Sequence, residues 1–277
     1  MSTYTKTVVI KPRSGWVQIN FRELWRYKEL FYIFAWRDIK VRYKQTVIGV
    51  LWAILQPVFS MIVFSIFFGG LAKVPSNGIP YPIFVFSGLL FWNYFSTSLT
   101  GSGNSLLSNE SIIKKIYFPR LLLPLSATTT PLIDFGIALV VFFGIMIFYH
   151  FTPTVIGIVL LPLLIIITLL CASGLGSLLA AINIRYRDVR EALPFAIQIL
   201  FFLTPVIYPT TLLPTKYQWI LGLNPMTGII EAARAGLVHD RPINYLLLLT
   251  SAVIAIVIFI FGIFYFKKTE RIFADIG

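Results

Sequence analysis

Residues 108–120, Ser-Asn-Glu-Ser-Ile-Ile-Lys-Lys-Ile-Tyr-Phe-Pro-Arg, form a short polar and basic stretch between two long apolar runs. The run before it covers residues 82–107, and the run after it covers residues 121–150. This stretch is too short to form a domain, but it is long enough to form a turn that carries one short helix. If the flanking runs cross a bilayer, a partner outside the membrane can grip this turn and move both neighbouring helices.

The composition of the chain is that of a membrane protein. Of its 277 residues, 57% are apolar and only 12% are charged, whereas roughly a quarter are charged in a typical soluble domain. A bilayer core about 30 Å thick needs about 20 apolar residues of helix. Six runs meet or approach that length, and they cover residues 47–71, 82–107, 121–150, 154–182, 193–208 and 243–266. The fifth run is short, and the second contains Asn93 and a Ser/Thr/Gly-rich end where we expect irregular backbone.

The distribution of Lys and Arg predicts the orientation in the membrane, because positive residues collect on the cytoplasmic side. Nearly all of the 23 Lys and Arg residues lie before the first run, in the second and fourth loops, or after the last run. The exceptions are Lys73, Lys216, Arg234 and Arg241. Both termini are therefore expected in the cytoplasm. This asymmetry accounts for the net charge of +12 without any nucleic-acid partner.

The chain divides into four expected parts, and the fold class is an all-α integral membrane protein with six transmembrane helices. Residues 1–20 are predicted to be a flexible cytoplasmic N-terminus, since they lack the apolar core of a cleaved targeting peptide. Residues 21–46 combine an amphipathic interfacial helix, predicted over 21–35, with a basic segment that leads into the first span. Residues 47–266 form the six-span domain, with short external re-entrant helices between spans five and six. Residues 267–277 form a cytoplasmic tail.

The charge order within the turn predicts a short helix over residues 109–117. Ser108 and Asn109 are good N-caps, Glu110 lies in the first turn, and Lys114 suits the negative end of the helix dipole. Pro119 ends the helix before the third span. Tyr117 and Phe118 follow as an apolar pair, for which we expect docking on a partner. Contact with the lipid interface is the alternative.

No chemical site of a soluble enzyme is found in the sequence. There is no G-x-x-x-x-G-K-[ST] phosphate loop, so the chain is not expected to hydrolyse nucleotide by that route alone. Neither His150 nor His239 has a partner at metal-ligand spacing. The one cysteine, Cys171, rules out an internal disulfide. We therefore expect no catalytic residue, no cofactor and no metal on this chain.

Asp134 is the one charged residue well inside a predicted span. A carboxylate at the centre of a membrane helix costs roughly 2.5–3.5 kcal/mol, so pairing or a function must offset it. Structural pairing or lining of a lumen is the favoured interpretation, and proton coupling is the alternative, although no second charge within a span is found. In span four, Ala172, Gly176 and Ala180 are spaced by four, which indicates close helix packing within or between subunits.

Several segments resemble, in order, the permease subunits of type-2 ABC exporters for lipid-linked polysaccharides, which are the O-antigen, capsule and teichoic-acid translocators. The turn continues as Ile112-Ile-Lys-Lys-Ile-Tyr-Phe-Pro-Arg-Leu-Leu-Leu-Pro124, which is similar to the family's loop between spans two and three. Residues 36–57 resemble its approach to span one. Asn183-Ile-Arg-Tyr-Arg-Asp-Val189 resembles its second cytoplasmic loop, and Thr204-Pro-Val-Ile-Tyr208 with Leu223-Asn-Pro-Met226 resembles the exit of span five.

The resemblance implies a half-transporter without a nucleotide site of its own. Two copies would form the channel as a homodimer, and two copies of a separate ATPase subunit would carry ATP and Mg. The substrate would be a glycan on a polyprenyl carrier, moved to the outer face of the bacterial inner membrane, with membrane lipid around the chain. The external short helices would act as a gate.

The resemblance also implies which residues act. Coupling to the ATPase is expected in three segments, about 21–35, 109–117 and 185–191, and the candidates are Phe21, Trp25, Arg37, Glu110, Lys114, Lys115, Tyr117, Phe118, Arg120, Arg185, Tyr186, Arg187 and Asp188. Aromatic rings stack on sugars, and the candidates for lining the glycan path are Trp52, Phe59, Trp92, Tyr94, Phe201 and Phe202. Aromatic belts at the membrane interface are the alternative for these rings.

Two other functions remain open. A membrane-embedded enzyme of glycan assembly would need an external cluster of polar groups, and the candidates are Glu231, Arg234, His239, Asp240 and Arg241. An ABC exporter of another lipid or of a drug is the second alternative. The sequence does not identify the sugar repeat or the polymer length.

Overall fold

The computed structural model describes residues 21–44, 49–186, 188–238 and 242–270, and all regular elements in those ranges are helical. The helices are α1 (Phe21–Arg26), α2 (Lys28–Lys44), α3 (Val50–Phe64), α4 (Tyr81–Ser108), α5 (Glu110–Ile113), α6 (Leu122–Thr129), α7 (Pro131–Phe148), α8 (Val155–Arg185), α9 (Asp188–Leu203), α10 (Thr215–Gly222), α11 (Pro225–Leu237) and α12 (Tyr245–Thr269). A π-helical segment, Ser65–Leu71, continues α3. The predicted flexible N-terminus, 1–20, and most of the predicted tail lie outside the described residues.

Each of the six apolar runs contains a helix, but the helices differ in length and in apolar character. Within the described residues, four segments are long and apolar enough, namely Leu51–Leu71, Leu122–Phe148, Val155–Arg185 and Tyr245–Thr269. The helix α9 has only 16 residues, fewer than the about 20 that a bilayer needs. The helix α4 is long, with 28 residues, but its many Ser, Thr, Gly and Asn residues lower its apolar character.

The irregular backbone expected near the end of the second run is not observed. The helix α4 is continuous from Tyr81 to Ser108. Its hydroxyl side chains donate hydrogen bonds to carbonyls of their own helix, as Thr100 does to the Ser96 carbonyl at 2.8 Å. Such bonds satisfy the hydroxyl group without competing for the backbone N–H, so the helix persists through its polar end.

Close packing of α8 against its neighbours forms the centre of the molecule. Gly174 of α8 lies against the backbone of α12, where a Cβ added to it would lie 2.5 Å from the Phe259 Cα. Gly176 contacts Ser102 of α4 in the same way. Gly176, one of the residues predicted to mediate helix packing, therefore does so within one chain, and Gly174 does so although it was not predicted, because only a missing side chain permits this approach.

One end of the molecule joins the predicted amphipathic helix to the turn. The helix predicted over 21–35 is observed as α1 and α2, separated at Tyr27, and α2 continues through the basic segment to Lys44. Phe34 of α2, Leu106 of α4, Ala180 of α8 and Phe266 of α12 belong to one buried apolar cluster. Among these helices, α2 and the last turns of α8 and α12 carry Lys and Arg, and this end of the molecule is called the basic end below.

The opposite end is organised by α11, which is buried along its whole length. Its Arg234 side chain is 0% exposed and donates to the carbonyls of Pro205 at 2.7 Å and Val206 at 2.5 Å. The guanidinium also lies 3.7 Å from the centre of the Phe84 ring of α4. One side chain thus joins α4, the turn after α9 and α11. The helix α11 lies between the fifth and sixth apolar runs, where short helices are predicted.

Candidate functional site

The turn at the basic end carries a helix shorter than predicted. The helix α5 is a single turn, Glu110–Ile113, and Asn109 does not cap it with its side chain. The Asn109 Oδ1 accepts a hydrogen bond from Arg37 Nη1 at 2.7 Å, and its Nδ2 donates to the Ser105 carbonyl at 2.7 Å. The predicted cap is wrong, because Asn109 instead ties the turn to α2.

The tip of the turn presents charged and apolar side chains together. Glu110 and Lys114 form an i,i+4 ion pair at 2.9 Å, and Lys115 is exposed beside them. Ile116 is exposed, and Tyr117 has 82% of its surface exposed. These five residues are called the coupling tip below. Exposed apolar side chains amid charges are typical of a surface that another protein covers.

Phe118 does not share that exposure, so the expectation of an exposed Tyr–Phe pair is wrong for this residue. Only 4% of Phe118 is exposed, and its ring centre lies 5.4 Å from that of Phe34 in α2. The Arg120 backbone N–H donates to Glu270 Oε1 at 3.2 Å. Buried aromatic packing and this bond fix the base of the turn to α2 and to the end of α12.

The helix α2 has one face on the protein and another turned outward. Its Arg37 pairs with Asp38 at 2.7 Å as well as with Asn109. On the outer face Tyr32 stacks with Trp36, with 6.3 Å between ring centres, and Trp25 of α1 is exposed. Exposed aromatic rings of this kind suit a membrane interface. The side chain of Phe21 lies outside the described set.

The third predicted coupling segment joins α8 to α9. Arg185, Tyr186 and Asp188 are exposed there, and the Arg185 guanidinium lies 5.4 Å from the centre of the Tyr186 ring. Arg187 lies outside the described residues. The three described residues form a second exposed surface at the basic end, next to the end of α8.

Asp134 has partners that were not predicted. Its Oδ2 lies 2.5 Å from Arg42 Nη2, and its Oδ1 accepts a short hydrogen bond from the Tyr43 hydroxyl. Both partners belong to the last turn of α2, so a charge outside the spans compensates the acid inside one. Burial raises the pKa of the Tyr43 phenol and the bond to Asp134 raises it further, so Tyr43 is a neutral donor at neutral pH.

Two neighbouring cavities adjoin this ion pair. The first, called the inner cavity, has a volume of about 480 Å³ and is lined by Trp52, Gln56, Asn93, Tyr94 and Asp134 among others. The second, called the polar groove, has a volume of about 850 Å³ and runs between α2, α4, α6 and α9. Arg42, Thr97 and Pro131 line both cavities, so the Arg42–Asp134 pair lies where they meet.

Sequence reasoning missed the polar face of α4. Its partly or fully exposed members are Asn93, Ser96, Thr97, Thr100, Gly101, Asn104 and Ser108. They recur every three or four residues, which places them on one side of a helix. Counting only apolar residues concealed this periodicity, but the spacing of the small polar residues alone would have predicted a polar stripe.

The predicted aromatic lining divides into exposed and buried rings. Trp52, Phe59 and Phe202 are each more than half exposed. Trp92 is buried and packs against Phe95 and Phe201, so its predicted place on the path stays a prediction that the single chain does not expose. Tyr94 is also buried, although it borders the inner cavity. Phe201 is partly buried and stacks with Phe64 of α3 at 5.7 Å between ring centres.

The polar cluster required for a glycan-assembly enzyme is engaged in packing. Glu231 lies 3.5 Å from Arg234 Nη1, and Arg234 is fully buried among carbonyl groups. Main-chain acceptors therefore occupy its donors. His239, Asp240 and Arg241 lie outside the described residues. The two described candidates form an internal brace and do not present an exposed reactive group.

A bundle of helices with four segments long and apolar enough to cross a membrane among its described residues is typical of an integral membrane protein. The chain belongs to the ABC-2 type transporter family, whose sequence profile matches residues 29–238. It is 30% identical over 250 residues to an O-antigen export system permease protein, RfbA, of Klebsiella pneumoniae, which covers 90% of this chain and 95% of the relative.

Two further relatives agree with this family. An O-antigen export system permease protein, RfbA, of Myxococcus xanthus is 30% identical over 257 residues, covering 92% of this chain and 97% of the relative. The polysialic acid transport protein KpsM of Escherichia coli is 23% identical over 225 residues, covering 77% of this chain and 85% of the relative. These polysaccharide export permeases match most of the chain, as the sequence resemblance predicts.

Proposed function

We propose that this chain is the membrane-channel subunit of an ATP-driven exporter that moves a polyprenyl-linked polysaccharide from the cytoplasmic to the outer face of the inner membrane. The observation that carries the proposal is the 30% identity over nine-tenths of the chain to proteins named as O-antigen export permeases. The polar cavities between the helices agree with passage of a hydrophilic substrate.

The proposed topology has six spans and two cytoplasmic termini. One end each of α4, α8 and α12 contributes to the apolar cluster at the basic end, and α9 starts from the exposed junction after α8. Basic residues favour the cytoplasmic side, so this end is assigned to the cytoplasm. The short α9 would then cross with help from the following turn, and α10 and α11 would lie towards the outer face.

The proposed partners are a second copy of the chain and two copies of an ATPase subunit, with no cofactor bound to the chain itself. The coupling tip and the exposed junction of Arg185, Tyr186 and Asp188 would receive the ATPase. Their position at one end of the bundle favours a single docking platform. The exposed α3 and α9 would then face the second copy across the channel.

Deletion of the gene tests the proposal directly. The deletion strain is expected to accumulate lipid-linked glycan on the cytoplasmic side and to lose the corresponding surface glycan, and a plasmid copy restores it. Normal surface glycan in the deletion strain would overturn the proposed substrate. Isolation of the chain from native membranes without any ATPase would overturn the proposed partnership.

A further inference from the structure

The polar face of α4 must meet water, protein or ligand rather than lipid. Small polar side chains within a membrane helix face the bundle interior or an aqueous cavity. Here Thr97, Thr100 and Gly101 of that face line the polar groove, while Ser98 and Ser102 are buried against other helices. The groove is therefore the place where α4 meets a hydrophilic medium.

The hydroxyl groups of the groove are mainly hydrogen-bond acceptors. Ser96 and Thr100 donate to carbonyls of α4, at 3.3 Å and 2.8 Å. Ser105 and Ser126 donate to carbonyls of their own helices, at 2.7 Å and 3.0 Å. A hydroxyl that has donated its proton keeps two acceptor lone pairs. Ser96 and Thr100, which are partly exposed, thus present oxygen acceptors to a ligand, whereas Ser105 and Ser126 are buried beneath them.

A proline adds one more acceptor to the groove. Pro131 has no N–H, so the Ala127 carbonyl four residues earlier lacks its helical donor, and both residues line the groove. Thr130 between them is 6% exposed and lines the groove as well. Its Oγ1 is itself buried and has no hydrogen-bond partner among the described residues, so the Ala127 carbonyl is the acceptor that this segment adds.

The charges of the groove are compensated. Arg37 pairs with Asp38 at 2.7 Å, and Arg42 pairs with Asp134 at 2.5 Å. A groove rich in acceptors without net positive charge is a poor site for phosphate, which is itself an acceptor. It suits a ligand with many O–H donors.

We infer that the polar groove binds the hydroxyl groups of the sugar chain by hydrogen bonding to these acceptors. The inference rests on the proposed function and assigns sugar contact to the Ser/Thr face of α4 and the start of α7. The aromatic residues predicted to line the path contact the substrate elsewhere or serve packing. The carrier phosphate is not bound in this groove.

Cysteine protection in native membranes tests the inference. Thr100→Cys and Thr97→Cys variants that assemble normally with the ATPase subunit are labelled with a membrane-impermeant maleimide in inverted vesicles. The natural Cys171 is fully buried and does not react. The vesicles come from three strains with an inactive partner ATPase, which make the complete lipid-linked glycan, the carrier lipid without sugar, or neither. Lys40→Cys, on the exposed side of α2, is the matched control.

Labelling of both groove variants is expected to slow several-fold only in the strain that makes the glycan, with the Lys40→Cys rate unchanged. Equal rates in all strains, absence of labelling, or protection by the carrier alone would each overturn the inference. The last result would indicate an anion site instead.

Two substitutions test the groove through export. Thr100→Val keeps the side-chain shape and is expected to weaken substrate affinity about fivefold, the loss of one neutral hydrogen bond. Thr250→Val is its control, since Thr250 makes the same own-helix bond at 2.9 Å on the exposed surface of α12.

Gly101→Leu is expected to block export because its side chain fills the groove. The fold is expected to accept the substitution, since the nearest atom to a Cβ at this position is the Ala127 carbonyl oxygen, at 3.6 Å. Gly144→Leu, with nothing within 4 Å, is its control.

Wild-type export by both Thr100→Val and Gly101→Leu would overturn the groove as a sugar site while leaving the proposed function intact. Failure of the proposed function would instead appear in the gene deletion, as normal surface glycan.

Discussion

At the scale of single residues, two arginines hold the structure together in different ways. Arg42 reaches from the interfacial helix to Asp134, and the side chains of the pair are 41% and 19% exposed. Arg234 is fully buried and is surrounded by main-chain oxygen atoms. The first interaction is partly screened by solvent, whereas the second depends on the planar fork of the guanidinium.

A double-mutant cycle measures the first pair. Arg42→Gln leaves the more buried Asp134 carboxylate with Tyr43 alone, so it is expected to lower the thermal midpoint in detergent more than Asp134→Asn does. The double variant is expected to cost less than the sum, by about 1 kcal/mol. Additive losses would show that the pair contributes nothing. Export that persists in Asp134→Asn would also exclude the proton-coupled alternative.

Conservative replacement tests the second arginine. Arg234→Lys keeps the charge but cannot reach the Pro205 and Val206 carbonyls together, so it is expected to destabilise the protein by about 3 kcal/mol. The thermal midpoint of the purified protein measures this loss. Lys216→Arg, at an exposed site in α10, serves as the control. A wild-type midpoint for Arg234→Lys would show that charge alone matters there.

At the scale of elements, the interfacial helix and the turn behave as one unit. Phe118 packs on Phe34, and Asn109 bonds Arg37, so a force on the coupling tip passes directly to α2. The last turn of α2 then holds Asp134 between the two cavities. A push at the tip is thereby connected to the meeting point of the inner cavity and the polar groove.

Charge reversal at the tip tests this transmission. The Lys114→Glu/Lys115→Glu variant replaces the Glu110–Lys114 attraction by repulsion and reverses the sign of the docking surface. It is expected to leave the ATPase active while export falls. The measurements are ATP hydrolysis by the purified complex and surface glycan in cells. Lys73→Glu, in the loop after α3, is the control, and unchanged export by the double variant would remove these lysines from coupling.

Glycine substitution tests the central packing of α8. A Cβ at Gly174 would lie 2.5–2.7 Å from backbone atoms of Phe259 and Ile258, and backbone has no freedom to yield. Gly174→Ala is therefore expected to destabilise the protein by about 1–3 kcal/mol, measured as a lower thermal midpoint. Gly144→Ala, which meets nothing within 4 Å, is expected to be neutral. Equal midpoints would contradict the observed approach of α8 and α12.

Helix positions followed from the sequence, whereas tertiary partners did not. Runs of apolar residues predict α3, α7, α8 and α12 because length and apolarity are local properties. The burial of Phe118 and the pairing of Asp134 with Arg42 depend on contacts between residues distant in the chain, which no local pattern encodes. Asn109 shows the same limit. Its residue type favours capping α5, but its side-chain oxygen accepts a hydrogen bond from Arg37 instead.

At the scale of the whole molecule, the apolar surface is distributed unevenly. Only 6% of the most apolar window of Leu51–Leu71 is buried, against 39% for α8. Trp52 and Phe59 of α3 and Phe202 of α9 are all exposed on the single chain. In the proposed homodimer these surfaces face a channel or the second copy rather than lipid.

Thiol labelling separates these environments. Phe59→Cys and Phe202→Cys are expected to react with a water-soluble thiol reagent in membranes, because a path for glycan is hydrated. Val257→Cys, equally exposed on α12, is expected to react only with a lipid-soluble reagent. If all three variants share the pattern of Val257→Cys, α3 and α9 face lipid and the aromatic rings belong to the membrane belt.

The polar stripe of α4 also bears on how the protein is made. A helix that carries Asn93, Thr97, Thr100 and Asn104 gains little from entering lipid alone, because each polar group opposes insertion. Its main packing partner, α8, follows it in the chain, with Gly176 seated on Ser102. We therefore expect α4 to be stable in the membrane only once α8 has been made and can cover its small and polar residues.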